Sequence, residues 1–342
     1  MANPDQLLEQ VCINYDLTIS SIDRFVDSSH GVNDLRYNYV INQSYVVKMN
    51  TSDIISETFL NQINALVKRY RKLGLWCPKI IQNKEKKLLT SVLADRQIYH
   101  CYVEECAPYR FSNDNDMYIL KRKMIGHLGQ FASVYTNVDL ADHYSMWSVI
   151  DRSLMDESVD EKKANLNHLV QVLEKHGYQL LAKQLSNANQ EAREQIKKDF
   201  DKLPRCVFQG DLNPSNLLVD EENDFAGFID FNMFGTEVNI NCFINEAMYY
   251  LKEKDFDMSV DEMLDKAFTI EKDLLQRIFQ YYSMNSLEEK LFKAYWLIIH
   301  ISFYPNVLLW TQLIENHMHE HKVIELIQRL MESDIDCEKY GI

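Results

Sequence analysis

Short apolar runs mark the first hundred positions of the chain, and apolar residues recur at helical spacing over most of the rest. Residues 5–17 read as a short helix. β-type runs follow at Ile22–Val26, Leu35–Ile41 and Ser44–Met49, the last two joined by the hairpin signal Asn42-Gln43. From Ser52 to Leu73 the residues Ile55, Phe59, Ile63, Leu66, Val67 and Tyr70 keep helical spacing. Ser52 or Asp53 is placed to cap that helix, Gly74 to end it, and Pro78 to bar its continuation. Further strand-like runs are Lys79–Gln82, Leu88–Val92 and Gln97–Glu104.

Beyond Pro108 the pattern turns almost entirely helical, with helices predicted over Met117–Tyr135, Glu161–His176, Tyr178–Phe200, Glu271–Tyr282 and Leu287–Ile301. The exception is an island at Cys206–Asp230, where the apolar runs Cys206–Phe208, Leu217–Val219 and Phe228–Phe231 are separated by turn residues. The expected architecture is α+β and two-lobed. Residues 1–106 form an antiparallel sheet with one main helix, and residues 107–342 form a mainly helical lobe.

Composition agrees with two globular lobes: 342 residues, 46% apolar and 25% charged, with 9 Gly and 6 Pro. The formal charge of −15 argues against a nucleic-acid partner and against attraction to an anionic membrane surface. It suits a neutral or cationic ligand, or it serves solubility alone. The seven cysteines are scattered without metal-ligand spacing, which fits a reducing cytosol. The N-terminus lacks the pattern of a signal peptide, and the most apolar stretch, Ala294–Trp310, is too short and too interrupted to span a bilayer. The expected location is cytoplasmic; oligomeric state is not legible.

The island carries the chemistry. It reads Gln209-Gly210-Asp211-Leu212-Asn213-Pro214-Ser215-Asn216, followed by Ile229-Asp230-Phe231. A carboxylate held in a loop between strands can orient a hydroxyl or accept its proton, the part open to Asp211. The amide oxygen of Asn216 and the carboxylate of Asp230 are hard ligands suited to Mg²⁺. Taken alone, GDLNPSN also reads as a polar turn. The joint pattern with apolar flanks on both sides is what favours a site.

These residues resemble the aminoglycoside phosphotransferase and choline kinase family, small-molecule kinases with a protein-kinase-like fold, whose GDxxxxN loop and ID(F/W) strand end are matched by GDLNPSN and IDF. The resemblance implies an ATP- and Mg²⁺-dependent transfer of the γ-phosphate to a hydroxyl of a small molecule. It implies Asp211 as the catalytic residue and Asn216 and Asp230 as metal ligands. Lys48, in Val46-Val47-Lys48-Met49, becomes the phosphate contact, and Glu57 its expected ion-pair partner. The loop Ser28–Asp34 stands where a glycine-rich loop covers the phosphates, with backbone N–H groups near Gly31 and Asn33, although it lacks GxGxxG. Val103–Ala107, including Glu104 and Cys106, takes the place of the inter-lobe hinge, whose backbone reads adenine.

Two positions depart from the family pattern. Gln209 replaces the usual His before Gly-Asp, and Asn245 stands where the family often has Asp. No particular acceptor follows: aminoglycosides, macrolides, choline, ethanolamine, homoserine, methylthioribose and fructosamine-type sugars all remain open, with the acidic charge favouring a cation. A non-catalytic nucleotide-binding or interaction protein that kept the fold is the alternative. A protein-substrate kinase is weaker, since no APE-like segment follows Asp230. His317 and His321, four apart, could bind zinc but read as a solvated helix face, and Lys68–Lys72 suits a helix C-terminus.

Overall fold

The computed structural model describes residues 4–31, 34–112 and 117–342. They cluster into two compact units, one of residues 1–113 with 213–231 and the other of residues 114–212 with 232–342. The expected boundary at 106/107 cuts the chain more simply, because 213–231 packs with the N-terminal residues. The chain crosses between units after Leu212 and again after Phe231.

The first unit runs α1 (Pro4–Asn14), β1 (Ile22–Asp27), β2 (Arg36–Ile41), β3 (Tyr45–Asn50), α2 (Glu57–Lys72), β4 (Thr90–Ala94), β5 (Gln97–Glu105) and β6 (Arg110–Phe111). Strands β1 to β5 form one antiparallel sheet in the order β1-β2-β3-β5-β4. Alternation assigns its faces. Tyr37, Tyr39, Ile41, Val47, Met49, Cys101 and Val103 join Leu7, Leu8, Val11 and Cys12 of α1 in one buried cluster. Lys48, between Val47 and Met49, belongs to the opposite face. Helix α2 starts later than Ser52 predicts, because the Ser56 hydroxyl takes the cap and accepts the N–H of Phe59. The run Lys79–Gln82 is no strand: it contributes only an isolated bridge from Ile80 to Glu104.

The second unit begins with α3 (Met117–Met124), α4 (Gly126–Tyr135), α5 (Glu161–Lys175) and α6 (Gln179–Lys197), then β7 (Arg205–Phe208). The chain next adds β8 (Leu217–Val219) and β9 (Phe225–Phe228) to the first unit, where β8 pairs with both β6 and β9. Back in the second unit come β10 (Gly235–Val238), α7 (Asn239–Ala247), α8 (Val260–Phe279), α9 (Ser286–Ser302), α10 (Tyr304–Glu315), α11 (Glu320–Glu332) and α12 (Cys337–Tyr340). Strand β10 pairs antiparallel with β7. The single helix predicted over Met117–Tyr135 is two helices, and α8 begins well before Glu271. Among the described residues no single helix is long and apolar enough to cross a membrane; α9 and α10 reach that length only together, bent by 44°.

Candidate active site

The two-residue periodicity of the sheet builds a candidate cluster within the first unit. Lys48 on β3 lies opposite Tyr102 on β5, so Glu104, two residues further, shares their face. The Lys48 Nζ lies 3.2 Å from the Glu104 carboxylate and 3.4 Å from that of Asp230. Burial opposes the charge of Lys48, but Asp230 and Glu104 outweigh it and hold its pKa well above the ordinary lysine value. Burial instead pushes the Glu104 carboxyl upward, against the pull of Lys48, with Asp230 adding to the rise. The two directions differ because one ammonium is shared between two carboxylates. Lys48 gains from both, whereas Glu104 also feels Asp230.

The β8–β9 hairpin sets Asn216 beside Asp230. Leu217 pairs with Phe228, and the Ile229 N–H donates to the Asn216 carbonyl at 3.0 Å. Asn216 is buried, while the Asp230 side chain keeps 39% exposure. Asp230 adopts a left-handed backbone, φ 55°, which Asp tolerates better than most side chains. Behind it Tyr70 of α2 packs against Phe228 and Phe231, with ring centroids 5.0 and 6.0 Å away. Gly227 permits a close backbone approach: a Cβ there would meet the Trp76 carbonyl oxygen at 1.8 Å.

In the second unit Asp211 follows a tightly held turn. The Gln209 side chain is buried, and its amide oxygen accepts the Asp211 N–H at 2.6 Å. Gly210 has φ +84°, and a Cβ would strike the Met233 carbonyl. The Trp147 indole N–H donates to the Gly210 carbonyl, bracing the turn from another segment. Glu246 is buried nearby. Burial, and then the charge of Asp211, raise its carboxyl pKa against Lys121 and Lys162.

Residues 30–237 match the model of the Phosphotransferase enzyme family. The chain belongs to that family. Among solved structures it resembles an amicoumacin kinase in complex with AMP-PNP, Ca²⁺ and Ami, at 12% identity over 96% of this chain and 93% of that one, TM-score 0.55. It also resembles a microcompartment-associated aminopropanol kinase, at 11% identity over 96% and 95%, TM-score 0.50. At these identities the likeness is one of fold, and it agrees with the antiparallel sheet and helical remainder of this phosphotransferase. No curated protein sequence matches.

Lys48 pairs with Glu104 and not with the expected Glu57. Glu57 opens α2, and its carboxylate accepts the N–H groups of Leu88 and Leu89 at 2.9–3.1 Å. It ties α2 to the segment before β4, and Glu104 takes the lysine. The side chain of Glu104, not only its backbone, is engaged, and the Cys106 N–H is bonded to the Ser44 carbonyl at 2.8 Å. Gly31 lies in the β1–β2 loop with φ +139°, bridged to Asp34. Asn33 lies outside the described residues. Nothing in the local sequence sets Glu246 apart, and Trp147 reads there only as one of the aromatics of the C-terminal half, mostly core, of which one or two can line a substrate pocket. Glu104 enters the sequence reading only through the hinge backbone, and its side-chain role follows from the β3–β5 register.

Proposed function

We propose that this phosphotransferase is a kinase that moves the γ-phosphate of ATP, with Mg²⁺, to a hydroxyl of a small molecule. The observation that carries the reading is the Lys48–Asp230 pair: a strand lysine and the aspartate of IDF, far apart in sequence, held 3.4 Å apart. The kinase templates place a phosphate-gripping lysine and a metal-binding aspartate at such positions. The amicoumacin kinase and the aminopropanol kinase, both named for small-molecule substrates, support the acceptor class.

The donor set fits the metal. Asn216 and Asp230 supply hard oxygens from neighbouring positions of one hairpin, and the Asp230 side chain is partly open to solvent. They are the residues that would hold Mg²⁺, which would neutralise charge on the phosphates. Lys48 holds the α- and β-phosphate oxygens with an ammonium kept protonated by its acidic neighbours. The segment Glu104–Ala107 reads the base through the backbone groups left by the Cys106–Ser44 bond. Asp211 orients the acceptor hydroxyl and takes its proton as the hydroxyl oxygen bonds to the γ-phosphorus and the bond to the β–γ bridging oxygen breaks. The Gln209 amide oxygen, by accepting the Asp211 N–H, steadies the turn that carries that carboxylate.

The excess of acid favours a cationic acceptor, aminoglycoside-like in charge. The test is a screen of hydroxyl acceptors with ATP and Mg²⁺, reading ADP release and the mass of the product. Turnover with one acceptor, abolished in Asp211→Asn, supports the reading. Tight ATP binding with no turnover against any acceptor favours the non-catalytic alternative.

A further inference from the structure

We propose that His176, His317 and Glu320 bind a divalent late-transition ion, Zn²⁺ above all, at a site built from the end of α5 and the turn between α10 and α11. One ligand atom from each of the three residues lies within 4.8 Å of the others. The two imidazole centroids are 5.4 Å apart, and His317 Nδ1 lies 3.0 Å from Glu320 Oε2.

A second observation makes the cluster more than a chance meeting. The Nε2 atom of His176 is buried and has no hydrogen-bond partner. Buried nitrogens are normally satisfied, and an unsatisfied one calls for a missing ligand. Tyr178 lies near the Glu320 carboxylate: burial, and then the charge of that carboxylate, raise the pKa of its hydroxyl.

The donor types select the ion. Two imidazoles and one carboxylate suit zinc and its neighbours, with a water completing a tetrahedron; Mg²⁺ and Ca²⁺ prefer oxygen alone. Ligand bonds of about 2.0–2.1 Å need ligand atoms about 3.3 Å apart. The exposed His317 side chain, 71% accessible, is free to make that small closure. The sequence pairs His317 with His321, whereas the structure pairs it with a histidine from another helix end. An ion here links segments separated by most of the helical unit's sequence, so it stabilises the fold by mass action.

The test uses the full chain, stripped with chelator and kept in excess Mg²⁺ so that oxygen-donor sites are occupied. Zn²⁺ is titrated by calorimetry, and thermal melts are recorded with and without it. One Zn²⁺ equivalent is expected in the wild type, with a rise in Tm. Affinity falls at least about tenfold in His176→Ala and in His317→Ala, and is unchanged in His321→Ala. Circular dichroism checks the fold of each variant; if His176→Ala unfolds, the exposed His317 decides. Absence of Zn²⁺ binding in the wild type, or equal binding in His317→Ala, overturns the proposal.

Discussion

Lys48 and Glu104 form an ion pair at 3.2 Å on one face of the five-stranded sheet, where Tyr102 stands directly opposite Lys48 with its ring 5.8 Å from the ammonium. Both side chains are about 10% exposed, so neither charge is well hydrated. Removing one partner strands the other, at a cost of about 3–5 kcal/mol, less where the stranded group can neutralise. Lys48→Met is therefore expected to lower Tm as well as nucleotide affinity. Adding Glu104→Gln to Lys48→Met is expected to restore much of the Tm but not the affinity. Melting curves and ATP titrations of the two singles and the double separate the roles. Additive Tm losses would show that the pair is not coupled.

Glu57 separates structural from catalytic support. Its carboxylate caps the N–H groups of Leu88 and Leu89 rather than Lys48. Glu57→Ala is expected to destabilise the protein by about 1–3 kcal/mol, the scale for leaving such groups unsatisfied. Its ATP affinity should stay within about twofold of wild type, well under the 1.4 kcal/mol that a tenfold change represents. A large loss of ATP affinity with unchanged Tm would return Glu57 to the phosphate site.

Asp211 and Gln209 are expected to fail in different ways. Asp211→Asn keeps the shape and loses the proton acceptor, so kcat should fall about 10²–10⁴-fold with ATP affinity nearly unchanged. Gln209→Ala keeps the carboxylate but removes the acceptor for the Asp211 N–H. A smaller fall in kcat is expected there, with partial recovery in Gln209→His, the family residue. Steady-state kinetics with an acceptor from the screen measure both. Wild-type kcat in Asp211→Asn would remove it from the mechanism.

Much of this was legible because alternation and helical spacing are local. Strands β1, β2, β3 and β5, helix α2 and the β8 run lie within a few residues of where the pattern puts them. The misses have physical causes. Helix α7 was hidden because Asn239, Asn241 and Asn245, polar by type, are buried in its interior. Helix α10 was hidden by Pro305, which sits in its first turn, where a missing N–H does no harm. The start of α8 carried a visible Ser259–Glu262 capping box that the spacing argument passed over. In the site, the motif residues were readable from the chain alone. The partner of Lys48 was not, since choosing Glu104 over Glu57 needs the β3–β5 register.

Glu237 on β10 gives a pH signature that owes nothing to the nucleotide. Burial raises its carboxyl from the usual range to about 7, although the Ser145 hydroxyl, Asn241, the Val238 N–H and Lys162 all pull downward. A group whose folded pKa lies above its unfolded one binds protons more tightly in the native state. Its contribution to stability is therefore whole below the unfolded value near 4.5 and is lost as pH rises through about 7. With 1.36 kcal/mol per pKa unit, the full loss is on the order of 3 kcal/mol. The neutral isostere Glu237→Gln retains the size and removes the titration. Tm of the wild type should decline between about pH 5 and pH 8, and that decline should be flatter in Glu237→Gln, with the two proteins diverging most on the alkaline side. Parallel Tm profiles for the two would mean that Glu237 is already ionised in the folded protein at pH 5, with Lys162 and the Ser145 hydroxyl outweighing burial.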